Sequence, residues 1–148
     1  MKGFNFKLQT VLDAREKVFE SRQLDFVKAK NRLHQENLKH QELIQTLNET
    51  NKGLEDVLKS GGIDNTIIFV HQNYLVTIKF NIEQQKNMIK EAEQILEEKN
   101  KLMLEALKAL KVMEKLKEKA LNEFKTNMNR KEMLLIDEIA TCRFKKAN

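Results

Sequence analysis

Ser60-Gly61-Gly62-Ile63-Asp64-Asn65 is the single break in a repeat that otherwise runs through almost the whole chain. Glycine there has no Cβ, and serine, aspartate and asparagine bond to their own backbone, so the segment suits a turn. Before the break, seam positions recur at alternating spacings of three and four: Leu8, Leu12, Arg15, Phe19, Arg22, Phe26, Ala29, Leu33, Glu36, His40, Leu43, Leu47, Thr50, Leu54 and Val57. After it they resume at Leu75, Ile78, Ile82, Gln85, Ile89, Ala92, Leu96, Lys99, Met103, Ala106, Leu110 and Met113. A repeat averaging about 3.5 residues forms one stripe on a helix, and that stripe must be buried against another helix. The fold class expected is therefore all-α: two long helices forming an antiparallel coiled-coil hairpin, the second longer than the first. The expected boundaries are helix 6–59, turn 60–65, helix 66–143 and a basic tail 144–148, in one coiled-coil domain.

Composition agrees. The 148 residues suit one domain, and a charged fraction of 33% suits helices with wide solvated faces. Proline and tryptophan are absent, and only four glycines occur. Of these, Gly53 alone interrupts an arm, at a cost of about 1 kcal/mol relative to alanine. The lone Cys142 has no partner for an internal disulfide and reads as a spectator thiol in a reducing compartment. Met1 to Leu12 is polar and alternating, without the apolar core of a signal peptide. No apolar run approaches the roughly 20 residues that span a bilayer. A cytoplasmic protein is expected.

Charge is uneven. Residues 1–60 carry eleven Lys/Arg against nine Asp/Glu, residues 61–99 four against six, and residues 100–148 twelve against seven. One reading is a solvated exterior with Glu/Lys neighbours such as Glu114 and Lys117 offsetting one another. The sharper reading is a basic stripe for an acidic protein partner. Nucleic acid is not expected as a partner, because acidic residues are interleaved throughout and aromatic stacking platforms are absent.

The arms are unequal. At about 1.5 Å per residue the first helix would reach about 80 Å and the second well over 100 Å. A fold-back at Gly61-Gly62 pairs positions whose numbers sum to about 123, which sets Leu8 opposite Lys115. Everything after about Ala120 would then overhang, yet Leu121, Phe124, Met128, Leu134, Leu135, Ile139 and Phe144 keep apolar faces there. An apolar face without an internal partner marks an interaction site. The competing reading is a longer connection through residues 63–73 that shortens the overhang. On the seam, Arg15 and Arg22 stand where apolar residues belong; they either snorkel or meet facing carboxylates such as Glu105 and Glu114. Alternatively Arg15, with Gln9 and Asp13 beside it, addresses an external partner.

No chemistry is expected. His34, His40 and His71 fit no metal-ligand spacing, and no metal or other cofactor is implied. A helix pair neither desolvates carboxylates nor converges them on a substrate. Glycine-rich phosphate loops, nucleophile elbows and Cys–His arrangements are missing, so neither catalysis nor a small-molecule substrate is expected.

The opening Phe4-Asn5-Phe6-Lys7-Leu8-Gln9-Thr10-Val11-Leu12-Asp13-Ala14-Arg15-Glu16 resembles the start of the flagellar FliJ family. Met113-Glu114-Lys115-Leu116-Lys117-Glu118-Lys119 and Asp137-Glu138-Ile139-Ala140 resemble that family's later stretches, so the resemblance covers the chain. The chain departs from the pattern at Ile63 to Val70, which is more β-branched than a helix start. The resemblance implies a coiled coil similar to the gamma stalk of rotary ATPases, serving the bacterial flagellar type III export apparatus. It implies binding to the hexameric export ATPase FliI with promotion of ring assembly, contact with the export gate protein FlhA, and handling of export chaperones. It further implies a cytoplasmic monomeric rod held peripherally at the inner membrane of the flagellar base. By analogy with the rotary stalk, ring contacts are expected at Gln9, Arg15, Lys115, Lys119, Asp137 and Glu138, and gate contacts at the hairpin end, Asp56 to Tyr74. Two alternatives stay open: a generic scaffolding coiled coil, which would sediment as a stable dimer or tetramer, and the equivalent stalk of a virulence secretion system.

Overall fold

A computed structural model of the chain describes residues 3–62 and 64–147. It contains two helices, α1 (Gln9–Lys59) and the longer α2 (Asn65–Ala147), packed against each other as an antiparallel hairpin. The molecule divides into two compact units, Arg22–Met103 and Met1–Ser21 with Leu104–Asn148.

The unit Arg22–Met103 contains the turn. Gly61 takes a φ of 73°, the left-handed conformation in which a helix most readily stops, and glycine adopts it without a Cβ clash. The Ser60 N–H donates to the Asp56 carbonyl at 3.1 Å and its Oγ donates to the Val57 carbonyl at 2.8 Å, which satisfies the last turn of α1. Asp64 Oδ1 accepts the Thr66 N–H at 3.0 Å, so this aspartate caps α2. Ile63, also assigned to the turn, lies outside the described residues. The β-branched stretch from Thr66 to Val70 is helical despite its composition, because the aspartate cap holds its start and Ile68 is half-buried.

The seam of this unit follows the repeat. Ala29, Ile78, Ile82 and Ala92 are buried, and Phe26, Leu33, Leu43, Leu47, Leu75, Ile89 and Leu96 are half-buried. Small alanines alternate with bulky residues, which lets knobs enter holes across a narrow interface. Arg32 reaches Glu91 at 3.9 Å, and the two numbers sum to 123, the register expected from a tight turn. The most unusual layer is polar. Glu36 is buried, and Gln85 Nε2 donates both to its carboxylate and, at 2.8 Å, to its carbonyl oxygen. Lys39 lies 3.8 Å from the same carboxylate. A buried hydrogen-bonded pair matches only its own partner across the seam, so it penalises every slipped register. One turn further, His40 Nδ1 is buried with no hydrogen-bond partner among the described residues.

In the other unit α1 starts at Gln9, three residues later than the repeat suggests. The preceding segment is irregular and turns at Lys7 and Leu8; Phe4 is half-buried and Phe6 buried, while Asn5 and Lys7 are exposed. Phe6 is buried in a cluster with Leu12 and Met113, against which Phe4 and Ala120 pack. The Phe4 and Phe124 rings lie 5.6 Å apart at 55°, a tilted aromatic pair. The Gln9 N–H donates to the Phe6 carbonyl at 3.1 Å and ties this segment to the helix start. Leu8, assigned to the seam by spacing, is 44% exposed because the chain is not yet helical there. At the other end α2 runs on to Ala147, so residues 144–147 of the expected tail are helical. Glu114 pairs with Lys111 at 3.3 Å rather than with Lys117 or a seam arginine.

Candidate functional site

The unit Met1–Ser21 with Leu104–Asn148 holds all six residues expected as ring contacts. Gln9 opens α1, half-buried, and its Nε2 donates to Asp13 Oδ1 at 2.8 Å, so this amide already has a partner. Arg15 occupies a seam position yet is exposed, and among the described residues it forms no ion pair. Its guanidinium stays in water because the long side chain can leave a two-helix seam at little cost. Lys115 and Lys119 are exposed one turn apart on α2 and line a shallow groove of about 680 Å³ with Arg130. Asp137 and Glu138 are exposed further along α2 and do not line that groove; Gln9 and Arg15 do not line it either. The six residues therefore form no single cluster. Lys115 and Lys119 share a surface, and the other four stand apart from it.

The apolar residues beyond Ala120 divide into two groups. Leu121, Phe124 and Met128 are half-buried, Phe124 because the segment before α1 brings Phe4 onto it. The uncovered stretch begins after Met128 instead of at Ala120. From there every described residue is exposed, including Leu134 at 63%, Leu135 at 57% and Ile139 at 48%. Met133, Ile136 and Phe144 belong to the same surface and are exposed to at least the same degree. Four consecutive exposed apolar residues, Met133 to Ile136, cover the helix nearly all round. A single partner helix would leave part of them in water, so their burial needs an occupant that touches α2 on more than one side.

In the unit Arg22–Met103 a second apolar surface lies near the turn. Phe69, Val76 and Phe80 are each more than 60% exposed. Their spacings of seven and four put them on one face of α2, about half a turn from the seam residues Ile78 and Ile82. Ile67, Val70 and Tyr74 add exposed apolar area on other sides of the same stretch. The sequence carries this signal as a second, shorter periodic row out of phase with the seam. Reading only the dominant repeat passes over it.

Among the described residues no group of three or more His, Cys, Asp or Glu is placed to hold a metal ion. Among the same residues no helix is long and apolar enough to cross a membrane. The grooves are shallow and open, and the titratable groups along them are solvated. The described surface presents long solvated helices, two bare apolar faces and a basic groove.

No curated protein and no solved structure matches the chain significantly. The family model of the flagellar FliJ protein matches residues 4–148, and the chain belongs to that family.

Proposed function

We propose that this chain is the non-catalytic coiled-coil stalk of a flagellar export ATPase: it binds the ring of FliI, promotes ring assembly, and links the ring to the export gate protein FlhA and to export chaperones. Membership of the FliJ family makes the chain a component of the flagellar export apparatus; the partners and the contacts are our reading. The observation that carries it is the uncovered end of α2, where Met133, Leu134, Leu135 and Ile136 are each more than half exposed. An apolar helix without an internal partner, bare on more than one side, suits insertion into an enclosing assembly better than lateral pairing. Gln9, Arg15, Lys115, Lys119, Asp137 and Glu138 remain the proposed ring contacts, and Leu121, Phe124 and Met128 support the helix that enters. The exposed Ile67, Phe69, Val70 and Tyr74 supply an apolar surface for the gate at the hairpin end. The place of action follows: the cytoplasmic side of the inner membrane at the flagellar base, reached through partners.

The test is a mixture of the purified chain with its cognate export ATPase. Oligomerisation and ATP turnover should both rise. Reversal of charge at Arg15 together with Lys119 should abolish the rise; normal stimulation by a folded double variant would sink that site assignment. Replacement of residues 56–74 should weaken capture of the cytoplasmic domain of FlhA. Undiminished capture would mean that the gate is met elsewhere.

A further inference from the structure

We infer that the outward row of α2 from Lys108 to Met133 is a docking surface for an acidic helix of a partner protein. Lys108, Val112, Lys115 and Lys119 follow one another at alternating spacings of four and three, and the same row runs on to Arg130 and Met133. Such spacing is the signature of one continuous helix face, here about half a turn from the buried Ala106, Leu110 and Met113. Every member is exposed, Val112 at 58% and Met133 at 66%.

The charge on this face is one-sided. Its four cations form no ion pair among the described residues, whereas Lys111 on a neighbouring face pairs with Glu114 at 3.3 Å. Lys115 and Lys119 stand four apart, a like-charge spacing that weakens an isolated helix. From Lys108 to Lys119 the row holds no carboxylate, while Glu105 precedes it by three residues and Glu123 stands four beyond Lys119. Lys115, Lys119 and Arg130 line the groove of about 680 Å³, with Glu118 and Glu123 along its edges. Those edge carboxylates choose the occupant. A continuous phosphate backbone would run against them, while separate carboxylates on a helix can meet the cations one by one and avoid the acids. An apolar residue near each end, Val112 and Met133, sets where such a helix begins and stops. The occupant is thus an acidic helix with carboxylates at alternating spacings of four and three and an apolar residue at either end. This inference deepens the proposed ring contact, since it names the chemistry that faces Lys115 and Lys119.

The probe is a synthetic helical peptide of that pattern, with its lysine counterpart, duplex DNA and anionic lipid vesicles as comparisons, titrated against the full chain by fluorescence anisotropy. The glutamate peptide should bind, more weakly as salt rises, and the lysine peptide should not. K115E/K119E/R130E should weaken binding at least about tenfold. The control K30E/K79E/K90E changes net charge equally and should retain binding. If circular dichroism finds the triple reversal unfolded, K115Q/K119Q/R130Q takes its place and should also weaken binding. Failure of the glutamate peptide to bind, equal loss in the control, or tighter binding of DNA or vesicles than of the peptide would overturn the inference. A chain that binds the peptide but never stimulates the ATPase overturns the stalk reading and leaves this one standing.

Discussion

The unit Arg22–Met103 and the unit Met1–Ser21 with Leu104–Asn148 are built from the same two helices but close by different means. The first is closed by regular heptad packing, with Ile78 only 2% exposed and a buried Glu36–Gln85 layer inside the seam. The second closes with aromatic residues on the irregular segment before α1, Phe4 on Phe124 and Phe6 on Leu12 and Met113, and then leaves residues 129–147 uncovered. The lesson is that a coiled-coil repeat specifies one face of a helix but not what lies against it. Where α1 is present, α1 covers that face. Where α1 has not begun, the segment carrying Phe4 and Phe6 covers it, and beyond that no described residue does.

The sharpest way to test this contrast is a matched pair of truncations. Ile78→Ala should cost about 3 kcal/mol in urea denaturation, because it opens a cavity in a seam that cannot collapse. Ile139→Ala, at a residue 48% exposed, should stay within about 0.5 kcal/mol. A large cost at Ile139 would mean that this face is covered in the free protein, for instance by a second copy, and the contrast would fail.

Next in size is the polar layer. Glu36→Ala should cost about 2 kcal/mol, since it removes the carboxylate that Gln85 bonds and leaves a cavity in the seam, while the bond to the residue 36 carbonyl remains. Replacing both Glu36 and Gln85 by leucine should recover most of that loss but relax the register. Cysteine pairs placed across the seam would then crosslink in more than one alignment. A double variant held in a single register would show that the turn alone sets it.

The aromatic closure comes third. Phe4→Ala should lose about 1.5 kcal/mol through the tilted pair with Phe124. Hydrogen exchange should quicken in α2 around Phe124 and stay unchanged around Ile82. The glycines give the smallest effects. Gly61→Ala should cost about 1 kcal/mol because its φ of 73° strains a residue with a Cβ. Gly53→Ala should gain about 0.5–1 kcal/mol, as a Cβ there meets only His71 Cε1 at an ordinary 3.7 Å. Thermal denaturation reads both.

Much of the hairpin is legible in residue spacing alone. The seam members from Phe19 to Val57 and from Leu75 to Met113 are all buried or half-buried; only Leu8 and Arg15, nearer the N-terminus, are exposed. A helical period and a two-residue register rule are local properties, so they survive without tertiary information. The expected helix start at residue 6 puts Phe6 in α1 and gives Phe4 no place, although alternating apolar and polar residues run from Phe4 to Lys7. Heptad spacing through Leu8 competes with it, and the stronger pattern prevails. Glu36 and Gln85 both stand in the repeat as polar intruders, but only the facing of the two helices reveals that they bond to each other.

By itself the sequence determined the helices, the position of the turn and the side of each helix that must be buried, because those follow from residue spacing and backbone preference. It also carried the family resemblance that the match over residues 4–148 bears out. Only the tertiary structure decided where the covered part of α2 ends, at Met128 instead of Ala120, and which cations stand free on its outward row. Burial and pairing depend on what a distant segment places alongside, and no spacing within one helix encodes that.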